Sequence, residues 1–283
     1  MKKVLIFSNP QRDIGMKVAE DIKELLSGKA ESEIYPIEYS YAEKQDADGS
    51  LSKLQSDIES ADLVVAVGGD GSIMHTLRVA APYFKPVIGI NRGNKGFLAE
   101  LDVSQIGLLR DAADGNYTIE ERMMLDVSLI RDGEEVLSNF AINDAAISGT
   151  SRMVNVSVSA DGIKIANFAG DGVVIASPTG STAYSMSAGG PIVEPCAQNI
   201  IVTPICSHAL IAKPFVLSSE RVITAMTDGA EGVEAFLSVD GEKGIKLKTG
   251  DLVRVCKSEH KLRLVKITGK SFYETVREKL GER

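Results

Sequence analysis

The chain opens on short, unbroken apolar runs separated by stretches in which apolar positions recur every three or four residues. In order these are VLIFSN (4–9), the stretch Ile14 to Leu26, EIYPI (33–37), Leu51 to Ile58, DLVVAV (62–67), Ile73 to Ala80 and VIGI (87–90). Continuous Val/Ile/Leu runs are typical of strands buried on both faces, and the amphipathic stretches between them supply the helices that bury them. The pattern predicts βαβ units: a three-layer α/β N-terminal domain with a parallel sheet.

From about Tyr117 the period becomes two. MLDVSLI (124–130) and VNVSVSA (154–160) alternate, and Asp-Gly pairs at 132–133, 161–162, 228–229 and 240–241 offer the turn residues that hairpins need. Ser271 to Leu280 returns to helical spacing, with Phe272, Val276 and Leu280 on one face. A chain of 283 residues is long enough for two cores. The expected division is an α/β domain over 1–116, a β-rich domain over 117–255 and a segment, 256–283, whose helix returns to the first domain.

Charge narrows the choice of partners. The net charge is −8 and no dense basic tract occurs, so a general nucleic-acid binder is excluded and any anionic ligand must be held by local loops. No apolar run is long enough to span a bilayer, and MKKVLIFSNP is too short in apolar residues for a signal peptide, so no membrane partner and a cytoplasmic location are expected. Cys196, Cys206 and Cys256 form no CxxC pair and are read as packing residues. His75, His208 and His260 are scattered, and no tightly ligated metal is expected.

Three loops carry candidate chemistry. In AVGGDGSIMH (66–75), Gly68-Gly69-Asp70-Gly71 lies where a strand ends and a helix begins, the edge of an α/β sheet at which amides and helix dipole favour phosphate. Neither GxxxxGK[ST] nor GxGxxG fits, which sets aside P-loop and ordinary dinucleotide folds. Asp70 reads either as a helix N-cap or as a carboxylate that binds the metal offsetting phosphate charge or takes a proton from an attacking hydroxyl. The second reading points to phosphoryl transfer. In GDGVVIASPTGSTAYSMSAGGPIV (170–193), Thr179, Ser181, Thr182, Ser185 and Ser187 bring hydroxyls and Tyr184 an aromatic face that can pack on a base; the competing reading is a turn whose hydroxyls satisfy one another. Asn143-Asp144, after NFAI, offers an amide and a carboxylate to a ribose or base edge, or is only a turn. Gly-x-Ser-x-Gly is absent, which removes the simplest hydrolase reading.

Together and in this order, GGDGS (68–72), NRGNKGFLAEL (91–101), the Asn143-Asp144 pair, the 170–193 loop, TPICSHAL (203–210) and VDG (239–241) resemble the NAD kinase family. GGDG alone also occurs in lipid kinases and phosphofructokinases; PTGSTAY with its flanks is the specific part. The resemblance implies transfer of the terminal phosphoryl of ATP, or of polyphosphate, to the 2′-hydroxyl of the adenosine ribose of NAD, giving NADP, with Mg²⁺ or another divalent cation accompanying the donor. It implies Asp70 as proton acceptor and Gly71, with Gly68, Gly69 and Ser72, at the phosphate loop. Phe97 would border the NAD pocket, and Asn143 and Asp144 the adenosine side. Thr179, Thr182, Ala183, Tyr184, Ser185, Met186 and Ser187 match the adenosine-binding loop. Asp171 matches an aspartate that reaches the nicotinamide end across a subunit contact, so a homodimer or homotetramer is implied. Arg152 and Asp240 are carried over as nucleotide-binding. The chain departs from the family at Ser72, where Thr is usual; at Asp144, where Glu is usual; at Ala176, which loses a hydroxyl; and at Glu242, where many relatives have Gln. A lipid or sugar kinase sharing GGDG, and a dinucleotide sensor without catalysis, are the rival readings.

Overall fold

A computed structural model describes residues 2–37, 50–93, 96–209, 212–228 and 233–281. Asn94 and Lys95 of the NRGNKGF stretch, Leu210 of TPICSHAL and Gly229 of the Asp228-Gly229 pair lie outside them. The chain divides into two compact units, Met1–Glu121 with Leu262–Arg283, and Arg122–Lys261.

The first unit begins with β1 (Lys2–Ser8), α1 (Lys17–Leu26), β2 (Ala30–Pro36), α2 (Ser50–Ser60), β3 (Leu63–Gly68), α3 (Asp70–Ala80) and β4 (Pro86–Asn91). These follow the alternating pattern of the sequence, except that α1 starts three residues later than expected, after a 3₁₀ turn at Ile14–Met16 in which Gly15 and Met16 take φ of 67° and 56°. The strands pair in parallel in the order β2-β1-β3-β4. A two-residue strand, β5 (Leu101–Asp102), adds to β4, and a short α4 (Leu109–Asp114) follows. One face of the sheet buries Val4, Ile6, Val65 and Ile88 against Val18, Ile22 and Leu26 of α1 and Leu109 of α4. At ~25 cal/mol per Å², each such side chain contributes about 1.5–3 kcal/mol. Because the chain passes from β1 outward to β2 and then crosses back to place β3 on the other side of β1, the strand order reverses between β1 and β3. Ligands of open α/β sheets bind at such a switch point.

The second unit is built from β6 (Thr118–Arg131, from Arg122), β7 (Glu134–Ala141), β8 (Asp144–Gly149), β9 (Val154–Ala160), β10 (Ile163–Gly170), β11 (Gly172–Ala176), α5 (Tyr184–Ser187), β12 (Asn199–Ile205), β13 (Phe215–Ser218), β14 (Ile223–Thr227), β15 (Ala235–Val239), β16 (Ile245–Lys246) and β17 (Leu252–Lys266, to Lys261). Asp132-Gly133 and Asp161-Gly162 close two-residue hairpins with both residues at positive φ, 52° and 84°, 50° and 79°. That is the backbone of a type I′ turn, which suits the twist of the strands it joins. An antiparallel sheet in the order β13-β12-β11-β8-β15-β16 buries Ala145, Ile147, Val173 and Ile175 against Val156, Val158, Ala225 and Val255 of β9, β14 and β17. Its other face buries Ala146, Val174, Ala176 and Ile201 under Ala188 and Val193. Hence the hydroxyl-rich loop lies on the back of this sheet.

The end of β17 belongs to the first unit and runs parallel to β4, with Arg263 opposite Pro86 and Leu264 opposite Val87. It leads to α6 (Phe272–Leu280), started by a capping box in which Ser271 Oγ accepts from Glu274 N at 3.2 Å and Glu274 Oε2 accepts from Ser271 N at 2.8 Å. No residue of α6 is fully buried. Among the described residues no helix is long and apolar enough to cross a membrane.

Candidate active site

In the first unit, β3 ends at the switch point and α3 begins at Asp70, with Gly69 as its N-cap. Gly68 has a φ of 156°, and a Cβ there would lie 2.5 Å from Ser72 Cβ, so this turn admits only glycine. Asp70 is the first helical residue and caps nothing. Its carboxylate instead accepts Phe97 N–H at 2.8 Å and Leu98 N–H at 3.3 Å. Gly96 allows this approach, since a Cβ there would sit 1.7 Å from Asp70 Oδ1. Two loops from the ends of β3 and β4 are thereby tied through one charged, half-exposed side chain.

Ser72 is buried, and its hydroxyl accepts from Asn9 Nδ2 at 2.8 Å, so it fastens the loop to the end of β1. Asn9 was not singled out in the sequence; its signal was only its place directly after the first strand. Gly71 is exposed, and Gly69 and Phe97 are half-buried.

The C-terminal segment reaches the same loops. Glu100, buried, accepts from Ile267 N at 2.9 Å, Thr268 N at 2.7 Å and Thr268 Oγ1 at 2.6 Å, and pairs with Lys266. Burial alone would raise its pKa, but these donors hold it below the usual range. Phe272 meets Phe97 with ring centres 6.5 Å apart, and Lys279 Nζ lies 4.5 Å from the Phe97 ring centre and 3.7 Å from Asp70 Oδ2. A cavity of about 440 Å³ beside this segment is lined by Glu100, Asp102, Glu274 and Glu278, with Lys270 among them. Its carboxylates disfavour phosphate.

In the second unit, β8 starts beside the ends of β11 and β15, where Ala176 pairs with Asp144 and Val239 with Ala145. Asp240, at φ 50° just past β15, accepts from Ile142 N at 2.8 Å, Asn143 N at 2.7 Å and Asp144 N at 3.1 Å. Asp240 thus shapes the Asn143-Asp144 turn with its carboxylate. Asp144 is 5% exposed, and loss of water, with the Asp240 charge added, pushes its pKa up to about 7.

The loop after β11 folds against that turn. Ser177 Oγ donates to Ile142 O at 2.6 Å, and Gly180 comes so close that a Cβ would lie 2.1 Å from Asn143 O. Of the hydroxyls this loop carries, two turn inward: Ser181 exchanges hydrogen bonds with Val193, and Ser185, fully buried, bonds Thr203 Oγ1 at 2.9 Å. Thr179 is also buried, while Thr182, Ala183 and Met186 are half-buried and Ser187 is exposed. Tyr184 is 41% exposed, and burial of its hydroxyl, then the charges of Asp144, Asp171 and Cys206, raise its pKa.

Asp171 and Arg152 start from the other end of the sheet, although the Asp171 charge reaches Tyr184 as that of Asp144 does. Asp171 precedes β11, roughly 17 Å along the strand from its Asp144-paired end by the usual rise, and Arg152 lies exposed in the turn after β8. Both therefore sit at the opposite end of the sheet from Asp144 and Asp240. Two of the cysteines are not packing residues, since Cys196 and Cys206 are exposed; Cys256 is half-buried. A hydrogen bond to Asp171, its charge, and burial raise the Cys206 thiol pKa.

A glycine-walled strand-to-helix turn presenting a carboxylate at the switch point of a parallel sheet defines an α/β enzyme that handles phosphate. The ATP-NAD kinase N-terminal domain matches residues 4–114 and the ATP-NAD kinase C-terminal domain residues 144–267. An NAD kinase of Natranaerobius thermophilus is 38% identical over 286 residues, covering 99% of this chain and 98% of the relative. One from Heliobacterium modesticaldum is 40% identical over 233 residues, 81% and 82% of the two chains. The crystal structure of an NAD kinase from Archaeoglobus fulgidus in complex with ATP superposes with a TM-score of 0.72 at 25% identity, over 99% of this chain and 98% of that one. Yeast NADH kinase complexed with NADH shares the fold, with a TM-score of 0.85 at 24% identity, over 99% and 88% of the two chains. The chain belongs to the NAD kinase family: it is a kinase that phosphorylates NAD to NADP.

Proposed function

We propose that Asp70 accepts the proton of the adenosine ribose 2′-hydroxyl of NAD as the terminal phosphoryl of ATP passes to that oxygen, leaving NADP and ADP. The observation that supports this most is what Asp70 does not do. It caps no helix, and two backbone N–H groups hold its carboxylate at the glycine turn, aimed away from α3. A carboxylate fixed in this way is positioned for general-base work or for aiming the hydroxyl.

The amides around Gly68, Gly69 and Gly71 are assigned to donor phosphates, and Phe97 to the border of the NAD pocket. In the second unit Asn143, Asp144, Thr179, Thr182, Ala183, Tyr184, Ser185, Met186 and Ser187 are assigned to the adenosine side. Ser185 acts there by shape and main chain, its hydroxyl being committed to Thr203. Asp240 supports Asn143 and Asp144 through their amides. Asp171 is assigned to the nicotinamide end of a nucleotide held across a subunit contact in a homodimer or homotetramer, and Arg152 to nucleotide binding. Mg²⁺ or another divalent cation is assigned to the ATP phosphates as part of the substrate: among the described residues no group of three or more His, Cys, Asp and Glu side chains could hold one. It would offset phosphate charge there. The enzyme is assigned to the cytoplasm, with NAD and ATP as its partners and neither nucleic acid nor membrane.

Asp70→Asn tests the central assignment. The variant is expected to fold and bind NAD while losing at least ~100-fold in kcat, the lower end of what a general base contributes. Near-normal turnover would reduce Asp70 to a loop tie. Crossing ATP and polyphosphate with NAD and NADH in the same assay identifies donor and acceptor, and light scattering counts the subunits.

A further inference from the structure

The GGDG turn presents an anion where more anions must arrive, and only one cation stands beside it among the ion pairs of the described residues. Lys279 Nζ lies 3.7 Å from Asp70 Oδ2 and 4.5 Å from the centre of the Phe97 ring. Both side chains of the pair stay partly open to water, at 26% and 34% exposure. The lysine is delivered there by construction. Glu100 takes the amides of Ile267 and Thr268, the Ser271–Glu274 capping box sets where α6 starts, and Phe272 packs on Phe97. Phe272 and Lys279 are two helical turns apart and so share a face. No residue of α6 is fully buried, so core packing does not account for this placement.

We propose that Lys279 is a catalytic residue whose ammonium passes from Asp70 to the transferred phosphoryl group during the reaction. The inference rests on the reading of Asp70 as proton acceptor. As the ribose oxygen bonds the terminal phosphorus, its proton moves to the Asp70 carboxylate. The bond from that phosphorus to the bridging oxygen breaks, and its electron pair leaves with ADP. Asp70 becomes neutral at the moment negative charge gathers on the moving phosphoryl oxygens. An ammonium paired with that carboxylate is then released to those oxygens. Lysine suits the task, being a point charge with three donors on a flexible stem, and charge stabilisation of this kind dominates phosphoryl transfer.

The experiment compares Lys279→Met, Lys279→Arg and Asp70→Asn in the full chain, by steady-state kinetics with ATP and NAD, NAD titration calorimetry and thermal melting. Lys279→Met should lose roughly 100-fold in kcat, the scale of removing one transition-state donor, with NAD affinity and melting temperature close to those of the parent chain. Lys279→Arg should recover most of that loss by keeping the charge. Lys279→Met within threefold of the parent, beside an inactive Asp70→Asn, overturns this inference and leaves the Asp70 reading intact. A normal Asp70→Asn overturns both. A faster Lys279→Met would make α6 a strap that holds Asp70 closed, and a loss of NAD affinity equal to the loss of kcat would make Lys279 a prop for Phe97; either refutes the catalytic role.

Discussion

Replacing Asp144 by asparagine removes one titrating group from a place where water hardly reaches. The carboxyl ordinarily titrates near 3.8; in the folded chain burial and the neighbouring Asp240 charge move it to about 7. Between these values the folded chain holds a proton that the unfolded chain has released. The raised pKa therefore adds stability that is complete below pH 3.8 and lost as the pH rises through about 7. At 1.36 kcal/mol per pH unit the full effect is about 4 kcal/mol, and the part that falls between pH 5 and pH 8 is roughly 2.5 kcal/mol. Asparagine keeps the shape and has no such dependence. The stability of Asp144→Asn relative to the parent should thus rise by roughly 2.5 kcal/mol from pH 5 to pH 8. The chain has no tryptophan, so urea unfolding is followed by far-UV circular dichroism, using the transition that the substitution moves. A difference constant to within about 0.5 kcal/mol across that range would refute the argument. Asp240→Asn serves as a cross-check: it removes the second cause of the shift, so the pH slope should shrink, while overall stability falls because one of the two oxygens that accept from Ile142, Asn143 and Asp144 N–H becomes an NH₂.

Two glycines give sharper steric tests. Gly96→Ala places a Cβ 1.7 Å from Asp70 Oδ1 and must displace the carboxylate; kcat should fall at least ~10-fold, while Gly107→Ala, with nothing within 4 Å, should leave it unchanged in the same assay. Gly180→Ala drives a Cβ to 2.1 Å from Asn143 O. It should destabilise the second unit by about 1–3 kcal/mol in thermal melts and weaken NAD binding in calorimetry.

Much of the fold was legible because its signals are local. The unbroken run at Leu63–Gly68 can be buried on both faces, and the Asp132-Gly133 and Asp161-Gly162 pairs tolerate the positive φ their turns need. The GGDG loop was likewise placed by its neighbours on either side. What stayed hidden depends on where distant strands end. Asp240 reaches Asn143 only because β15 pairs with β8, and Lys279 reaches Asp70 only through the chain of Glu100, Ser271 and Phe272. Nothing in the composition of the 170–193 loop reveals which hydroxyls face in. Ser181 and Ser185 face inward, toward Val193 and Thr203, and only the folded register of β12 makes that plain. Two of the cysteines were misread, Cys206 for a similar reason: it is apolar enough to pack, but it falls one residue past the end of β12.

Those inward hydroxyls have a thermodynamic consequence. Because Ser177, Ser181 and Ser185 already fasten the loop to Ile142, Val193 and Thr203, its main chain is ordered before any ligand comes. Fixing a free backbone costs about 1–2 kcal/mol per residue, and here folding has already met that cost. A nucleotide arriving at Thr179–Ser187 should therefore bind a rigid loop, with little ordering entropy to subtract from its affinity.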